Sequence, residues 1–91
     1  MAFTKEEAVE RARQDLAARI VVKEDEVKAD AVEDTDFPDM ALGAAASGEM
    51  SGQMITPGWR IRLRANGNSF EYRANKHQVR LVRFKGANHK V

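Results

Sequence analysis

The most constraining feature of the sequence is the dipeptide Asn66-Gly67, which separates two segments of alternating apolar and polar residues. Both central positions of a type I′ turn need positive φ, which Asn and Gly adopt readily, so the pair predicts a two-residue β-hairpin loop. The register of such a hairpin gives three compatible cross-strand pairs, which are Leu63 with Phe70, Ile61 with Tyr72, and Arg62 with Glu71.

A second two-residue turn is predicted at Asn75-Lys76, because asparagine tolerates the left-handed conformation. This turn pairs Tyr72 with Val79, Phe70 with Leu81, and Glu71 with Arg80. The two hairpins together predict a three-stranded antiparallel meander. Its apolar face, which must be the core, consists of Trp59, Ile61, Leu63, Phe70, Tyr72, Val79 and Leu81.

The N-terminal segment predicts a helix that covers this face. Thr4 and Glu7 have the spacing of a capping box, in which each side chain accepts a hydrogen bond from a free backbone N–H of the first turn. Apolar residues then recur at helical spacing and form one narrow stripe. The stripe consists of Val9, Ala12, Leu16 and Ile20.

One more strand is predicted near residues 26–33, with Val27, Ala29 and Ala31 on one face and Phe37-Pro38-Asp39 closing it. The predicted fold class is α+β, with one N-terminal helix packed on a four-stranded antiparallel sheet. The strands lie near 26–33, 54–64, 69–74 and 78–84. The chain forms a single domain over 1–91, with an ordered core of about 4–84 and a frayed segment at 85–91.

The opposite face of the meander is basic and carries Arg60, Arg62, Arg64, Glu71, Arg73 and Arg80. Residues 1–50 contain 13 of the 14 acidic residues, whereas residues 51–91 contain 9 of the 15 basic ones. In the predicted register Glu71 lies between Arg62 and Arg80, and Arg60 faces Arg73 as a like-charge pair. We expect Asp30 or Asp34 of a neighbouring strand, or an acidic partner, to compensate that pair.

Residues 43–52 predict a flexible loop, because they are rich in glycine, alanine and serine. As a candidate binding loop it contributes Gly43, Gly48, Glu49, Met50 and Gly52. Met40, Met50 and Met54 flank or lie in this loop, and their interpretation as gap-filling residues is favoured over an exposed binding surface.

No catalytic residue, metal site or cofactor site is predicted. The only histidines, His77 and His89, are far apart in sequence, and there is no cysteine for a thiolate ligand or a disulfide. No apolar run approaches the length of a membrane-spanning helix. The chain is expected to be soluble, and cytoplasmic if it is full length, because no signal peptide is seen; a trimmed mature form would instead be secreted or periplasmic.

Several short motifs resemble a family of small bacterial proteins of unassigned function. They are the run Phe37-Pro38-Asp39 with Leu42-Gly43, the run Thr56-Pro57-Gly58-Trp59 with Ile61 and Leu63, and Gly67 with Phe70 and Tyr72. The resemblance covers roughly residues 5–83. The chain departs from the pattern at Ala44 and Ala45, where the family commonly shows Cys-Pro, so a thiol role is absent here. The resemblance supports the fold and supplies no function.

The sequence favours a non-enzymatic interaction module that binds a protein partner or a second copy of itself through the basic face. One alternative is a protease-inhibitor-like protein that uses the 43–53 loop. The other alternative is single-stranded nucleic-acid binding through the basic face. Nucleic acid is disfavoured, because the aromatic residues lie on the core side and the first half of the chain is acidic.

Overall fold

The computed structural model describes residues 2–91 and begins with the predicted helix, α1, at Lys5–Ile20. The capping box is present, because Glu7 donates its backbone N–H to Thr4 Oγ1 at 3.1 Å and Thr4 donates its own to Glu7 Oε1 at 2.9 Å. The helix ends at Ile20 and is capped by Val21, whose φ of 57° is left-handed. A single 3₁₀ turn follows at Glu24–Glu26.

Five antiparallel strands form one sheet in the order β1-β2-β3-β4-β5. Their bounds are β1 Lys28–Phe37, β2 Thr56–Ala65, β3 Asn68–Ala74, β4 Val79–Phe84 and β5 Ala87–Lys90. The α+β class is confirmed, but the strand count of four is wrong. The segment 85–91, expected to be frayed, contains β5, because Lys85 and Gly86 form a left-handed turn (φ 53° and 83°) that returns it against β4.

The first predicted hairpin is confirmed, whereas the second has a different loop. Asn66 and Gly67 have φ of 52° and 73°, and all three predicted pairs of β2 with β3 are present. Between β3 and β4, Asn75 Oδ1 accepts the backbone N–H groups of His77 (2.8 Å) and Gln78 (3.0 Å). This closes a four-residue loop and moves the register by two positions, so Glu71 lies opposite Val82 and not Arg80.

A shift of two residues keeps every side chain on its predicted face, so the core side of the sheet is the one expected. The side chains that α1 and this face bury in common include Ala8, Ala12, Leu16, Ile61, Leu63, Tyr72, Val79 and Leu81. Trp59 and Phe70 are partly buried at the margin of this core. The hydroxyl of buried Tyr72 donates to Asp15 Oδ2 at 2.7 Å and joins the sheet to the helix.

Strand β1 departs from simple alternation. The pairing with β2 shifts between Ala29 and Ala31, as at a β-bulge, so that Ala31 lies opposite Arg62 while Val32 lies opposite Ile61. Val32, not Ala31, therefore packs against the core, and the assignment of Ala31 to the core face is wrong. Within residues 2–91, no helix is long and apolar enough to cross a membrane.

Candidate interaction surface

The face of the sheet opposite α1 carries a row of basic residues that crosses four strands. Arg60 of β2 lies opposite Arg73 of β3, which lies opposite Arg80 of β4, which lies opposite Lys90 of β5. The like-charge pair of Arg60 with Arg73 is thus present, and the four-residue loop at 75–78 adds a second such pair. Like charges directly opposite each other destabilise a sheet, so this row requires nearby carboxylates.

Glu71 neutralises the β2–β3 part of the row. Its Oε2 lies 2.7 Å from Arg73 Nε and 3.4 Å from Arg60 Nε. Arg60 Nε is buried and makes no hydrogen bond, so its interaction with Glu71 is through charge alone. The predicted position of Glu71 between Arg62 and Arg80 is half right, since only Arg62 is opposite.

The two aspartates expected to compensate the row are used elsewhere. Asp30 Oδ2 accepts from Arg64 Nη2 at 3.2 Å, and Asp34 Oδ1 lies 2.9 Å from Lys5 Nζ at the start of α1. Neither aspartate forms an ion pair with Arg60 or Arg73. Both arginines pair instead with Glu71 of β3. Within residues 2–91, Arg62 is the arginine of the predicted face that makes no ion pair, and it is exposed.

Glu49 neutralises the β4–β5 part of the row. Both nitrogens of the Arg80 fork donate to it, Nη1 to Oε1 at 2.5 Å and Nη2 to Oε2 at 2.7 Å, and Lys90 Nζ lies 3.4 Å from Oε2. The Arg80 guanidinium and then the Ala46 N–H hold the pKa of Glu49 at about 2, well below its ordinary 4.5. Glu49 reaches the sheet from a loop far from β4 in sequence, and with Gln78 it leaves Arg80 only 6% exposed.

The segment 38–55, which we call the covering loop, lies over this face and is attached mainly through its own carbonyl groups. Arg73 Nη1 donates to the carbonyls of Leu42 (3.0 Å) and Gly43 (3.1 Å). Further attachments run from Arg80 to the carbonyl of Ala44, from Asn88 to that of Ala45, and from Gln78 to that of Met40. The basic face is therefore not the open surface expected from the sequence, because Arg73 and Arg80 hold the chain's own loop.

A second, smaller apolar cluster lies between the covering loop and the sheet. It consists of Phe37, Ala41, Leu42 and Ala44, which are buried but are not part of the core under α1. The guanidinium of Arg73 lies over the Phe37 ring, 5.4 Å from its centroid. The molecule thus has three layers, with α1 on one face of the sheet and the covering loop on the other.

The run from Phe37 to Gly43 builds the start of the covering loop. Asp39 Oδ1 accepts the backbone N–H groups of Ala41 (2.9 Å) and Gly43 (3.0 Å), as in an Asx turn. Leu42 and Gly43 both have positive φ, near 60° and 65°. A Cβ on Gly43 would lie 2.7 Å from Arg73 Nη1, so a side chain at this left-handed position would be strained and would displace the end of Arg73.

Gly58 in the run Thr56-Pro57-Gly58-Trp59 has a similar structural role. A Cβ at this position would lie 2.3 Å from the backbone oxygen of Ala74 and 3.1 Å from Phe37 Cε2. The absence of a side chain lets β2 and β3 approach while Phe37 packs over them. The motifs that carry the family resemblance therefore account for the architecture of this face, not for a reactive site.

The candidate loop residues have different environments. Glu49 is an anchor, and a side chain on Gly52 would collide with Met40 Sδ at 2.6 Å, whereas Gly48 faces open space. Met50 is 95% exposed. The flexibility of residues 43–52, expected from their composition, stays a prediction. Hydrogen bonds from the sheet hold the segment at several points.

The covering loop also presents four of the five large exposed hydrophobic side chains of residues 2–91. They are Met40 (51% exposed), Met50 (95%), Met54 (63%) and Ile55 (69%). The interpretation of the methionines as gap-filling residues is wrong. Ile55 was missed altogether, although the apolar pair Met54-Ile55 just before the Thr56-Pro57 strand start was a usable signal in the sequence.

No group of three or more side chains that could hold a metal ion occurs within residues 2–91. His77 is exposed in the β3–β4 loop, and His89 packs against Phe84 on β5 at a ring-centroid distance of 6.0 Å. The two histidines therefore lie in separate environments, one in a loop and the other against an aromatic ring.

The fold and this surface define a class of small α+β protein, with one helix on a five-stranded meander and an ordered loop packed on the opposite face. Residues 9–83 match the model of a family described as a domain of unknown function, DUF8738, and the chain belongs to this family. Membership in an uncharacterised family agrees with the resemblance, while the detailed motif pattern and a bacterial origin stay predictions. No curated protein and no solved structure matches the chain.

Proposed function

We propose that this protein is a non-enzymatic protein-binding module and that the covering loop is its docking surface. The observation that carries the proposal is the concentration of Met40, Met50, Met54 and Ile55 on this one segment, with their side chains largely in solvent. Contiguous exposed apolar side chains on a small protein commonly mark an interaction site. Methionine is well suited to such surfaces because its flexible thioether adapts to a partner.

The attachment of the loop makes binding through it thermodynamically reasonable. Ordering a free segment on binding costs roughly 1–2 kcal/mol per residue. Here Glu49 and the carbonyls of Leu42 and Gly43 are already held by Arg80 and Arg73, so much of that cost is met in the unbound protein. A pre-ordered loop keeps more of the free energy of apolar contact for affinity.

The charges on the same face define the kind of partner. Arg62 is exposed without an ion pair, and Arg64 is exposed beside Asp30. We infer a partner protein with an apolar patch bordered by carboxylates, since complementary rim charges accelerate encounter and fix orientation. This keeps the acidic partner expected from the sequence but moves the main contact from the arginines to the methionines and Ile55.

The geometry supports the two alternative functions less well. A protease-inhibitor loop must enter an active-site cleft in extended form, whereas Ala41, Leu42 and Ala44 are buried against the sheet. A phosphate-tracking surface needs several free cations, whereas Arg64, Arg73 and Arg80 are engaged within the chain. Neither alternative has a contact that favours it over protein binding.

Site-specific photo-crosslinking tests the proposal. A photoreactive residue at position 54 should give a discrete adduct with one partner protein in an extract of the native host, while the same residue at Glu6, exposed on α1, should not. The double variant M54E/I55E should reduce partner affinity at least tenfold, because burying the exposed two-thirds of two such side chains contributes about 2 kcal/mol or more.

The matched control is Arg11→Glu on the outer side of α1, which changes charge on an exposed helical position and should leave affinity unchanged. Adducts of equal yield from positions 54 and 6, or full affinity in M54E/I55E with normal circular dichroism, would refute the docking surface.

A further inference from the structure

The outer edge of β1 is an unpaired strand edge of unusual length for so small a sheet. β1 is first in the strand order and spans Lys28–Phe37, ten residues, whereas the opposite edge, β5, has four. The backbone of β1 pairs with β2. Besides that pairing, within residues 2–91 it makes one local hydrogen bond, in which Thr35 Oγ1 donates to the carbonyl of Glu33 at 3.2 Å. About half of its N–H and C=O groups therefore point outward without a partner.

The charge on β1 and on the 3₁₀ turn just before it is strongly negative. Residues 24–36 contain seven acidic residues and a single basic one, Lys28. Two of the acids are neutralised within the chain, Asp30 by Arg64 and Asp34 by Lys5. The five that make no ion pair within residues 2–91 are Glu24, Asp25, Glu26, Glu33 and Asp36, all of them exposed.

These charges decide which strand can pair with the edge. Antiparallel pairing of β1 with β1 of a second copy would bring Glu33, Asp34 and Asp36 close to the same residues of the other molecule. Like charges across a strand pair are destabilising, and charged edges are a common defence against self-association. A second copy could offer β5 instead, but that strand covers fewer than half of the positions of β1.

We propose that the free edge of β1 binds an extended basic segment of another protein by strand addition. Main-chain hydrogen bonds to the unpaired edge would supply much of the affinity, and alternate lysine or arginine side chains on one face of the added strand, facing Glu33, would supply the selectivity. This surface is separate from the covering loop, so the inference goes beyond the proposed function and does not depend on it.

A cavity of about 810 Å³ lies beside the C-terminal half of this edge. Asp34 and Asp36 of β1 line it together with Trp59 of β2, and Lys76 and His77 of the β3–β4 loop form its other side. Lys5 is ion-paired with Asp34, and Lys76 lines the same cavity, which offers room and an aromatic surface to a side chain of the added strand. The cations of that strand are better placed nearer Glu33.

Trp59 is the only tryptophan in the chain and lies opposite Asp34 in the sheet, which makes it an intrinsic probe of this edge. The assay is a fluorescence titration of the full chain at about 50 mM salt with an alternating lysine–valine peptide of about seven residues. We expect a saturable change in Trp59 emission that weakens as salt is raised, because exposed charges are screened. An acidic glutamate–valine peptide should give no change.

Backbone methylation separates strand addition from charge attraction. The same lysine–valine peptide with alternate backbone nitrogens methylated keeps its side chains and charge but cannot donate into the edge. Its affinity should be at least tenfold lower. On the protein, Glu33→Lys should weaken the unmodified peptide about threefold to tenfold, because it turns an exposed charge pair into a like-charge contact. The control E6K alters net charge equally but on α1, and should change the affinity less than twofold.

The proposal is overturned by equal affinity for the methylated and unmethylated peptides, by an E6K effect as large as that of E33K, or by no emission change at millimolar peptide. Sedimentation of the protein alone gives a further decisive result, since a dimer that excess lysine–valine peptide dissociates would assign the edge to a second copy. The variant M54E/I55E should bind the peptide normally, so failure of the covering-loop proposal and failure of this one are distinguishable.

Discussion

Replacing Tyr72 with phenylalanine tests how the sheet is joined to the helix. Tyr72 is fully buried in β3, and its hydroxyl donates to Asp15 Oδ2 at 2.7 Å. Asp15 also accepts from Arg19 Nε at 2.7 Å, so the carboxylate connects two side chains. The change removes one oxygen and leaves the ring packing intact, so the effect on stability reports the hydrogen bond.

The expected loss in the free energy of unfolding is about 1.5–3 kcal/mol, the range for a hydrogen bond to a charged group. In Tyr72→Phe, Asp15 still forms its ion pair with Arg19, and its side chain is 13% exposed. The variant therefore does not leave a fully buried, unpaired charge. For a domain of this size the same loss lowers Tm by about 6–24 °C.

Urea unfolding followed by circular dichroism measures the difference directly. Asp15→Asn alone and together with Tyr72→Phe completes a double-mutant cycle, in which we expect a coupling of at least about 1 kcal/mol. Thr35→Val is the matched control, because it removes an exposed hydroxyl whose bond to Glu33 lies at the surface. The control should change stability by less than about 0.5 kcal/mol.

The same bond predicts a dependence on alkaline pH. Burial, and then the hydrogen bond to Asp15, raise the pKa of Tyr72 well above its ordinary 10. Below pH 10 the tyrosine is neutral in both states and its contribution is complete; above pH 10 the unfolded chain ionises while the folded one keeps its proton, so stability falls. A stability loss below about 0.5 kcal/mol in Tyr72→Phe, or an equal alkaline loss in both proteins, would falsify this account.

Two further predictions concern the covering loop and its support. Because Arg80 holds the pKa of Glu49 at about 2 against 4.5, the carboxylate stabilises the fold fully above pH 4.5, and this contribution is lost as pH falls towards 2. As the pH is lowered from 4.5 to 2, the urea concentration at the unfolding midpoint should fall more in the parent protein than in Glu49→Gln. An equal fall in the two proteins would contradict the stabilising role of the Glu49 carboxylate. Gly58→Ala should lose about 1–3 kcal/mol of stability by crowding Ala74 and Phe37, and a variant as stable as the parent in calorimetry would contradict the close approach.

The sequence determined those features that depend on neighbouring residues. Thr4 and Glu7 define the start of α1 by hydrogen bonds three residues apart, and Asn66-Gly67 defines the β2–β3 register through its positive φ angles. Alternation along β2, β3 and β4 then assigns the core face, and this assignment holds even though the β3–β4 turn was misplaced. Local chemistry was sufficient here because each signal is complete within a few positions.

Only the tertiary structure decided what covers the basic face. Glu49 and Arg80 are 31 positions apart, and the choice among Glu49, Glu71 and Asp30 as partners for the arginines depends on where a long loop crosses the sheet. The side chain of Asn75 accepts hydrogen bonds from two backbone N–H groups, so the β3–β4 loop has four residues, whereas the sequence predicted two. Such long-range contacts are selected by the whole packed arrangement, which no local pattern encodes, and they convert an apparently open arginine surface into the support of a loop.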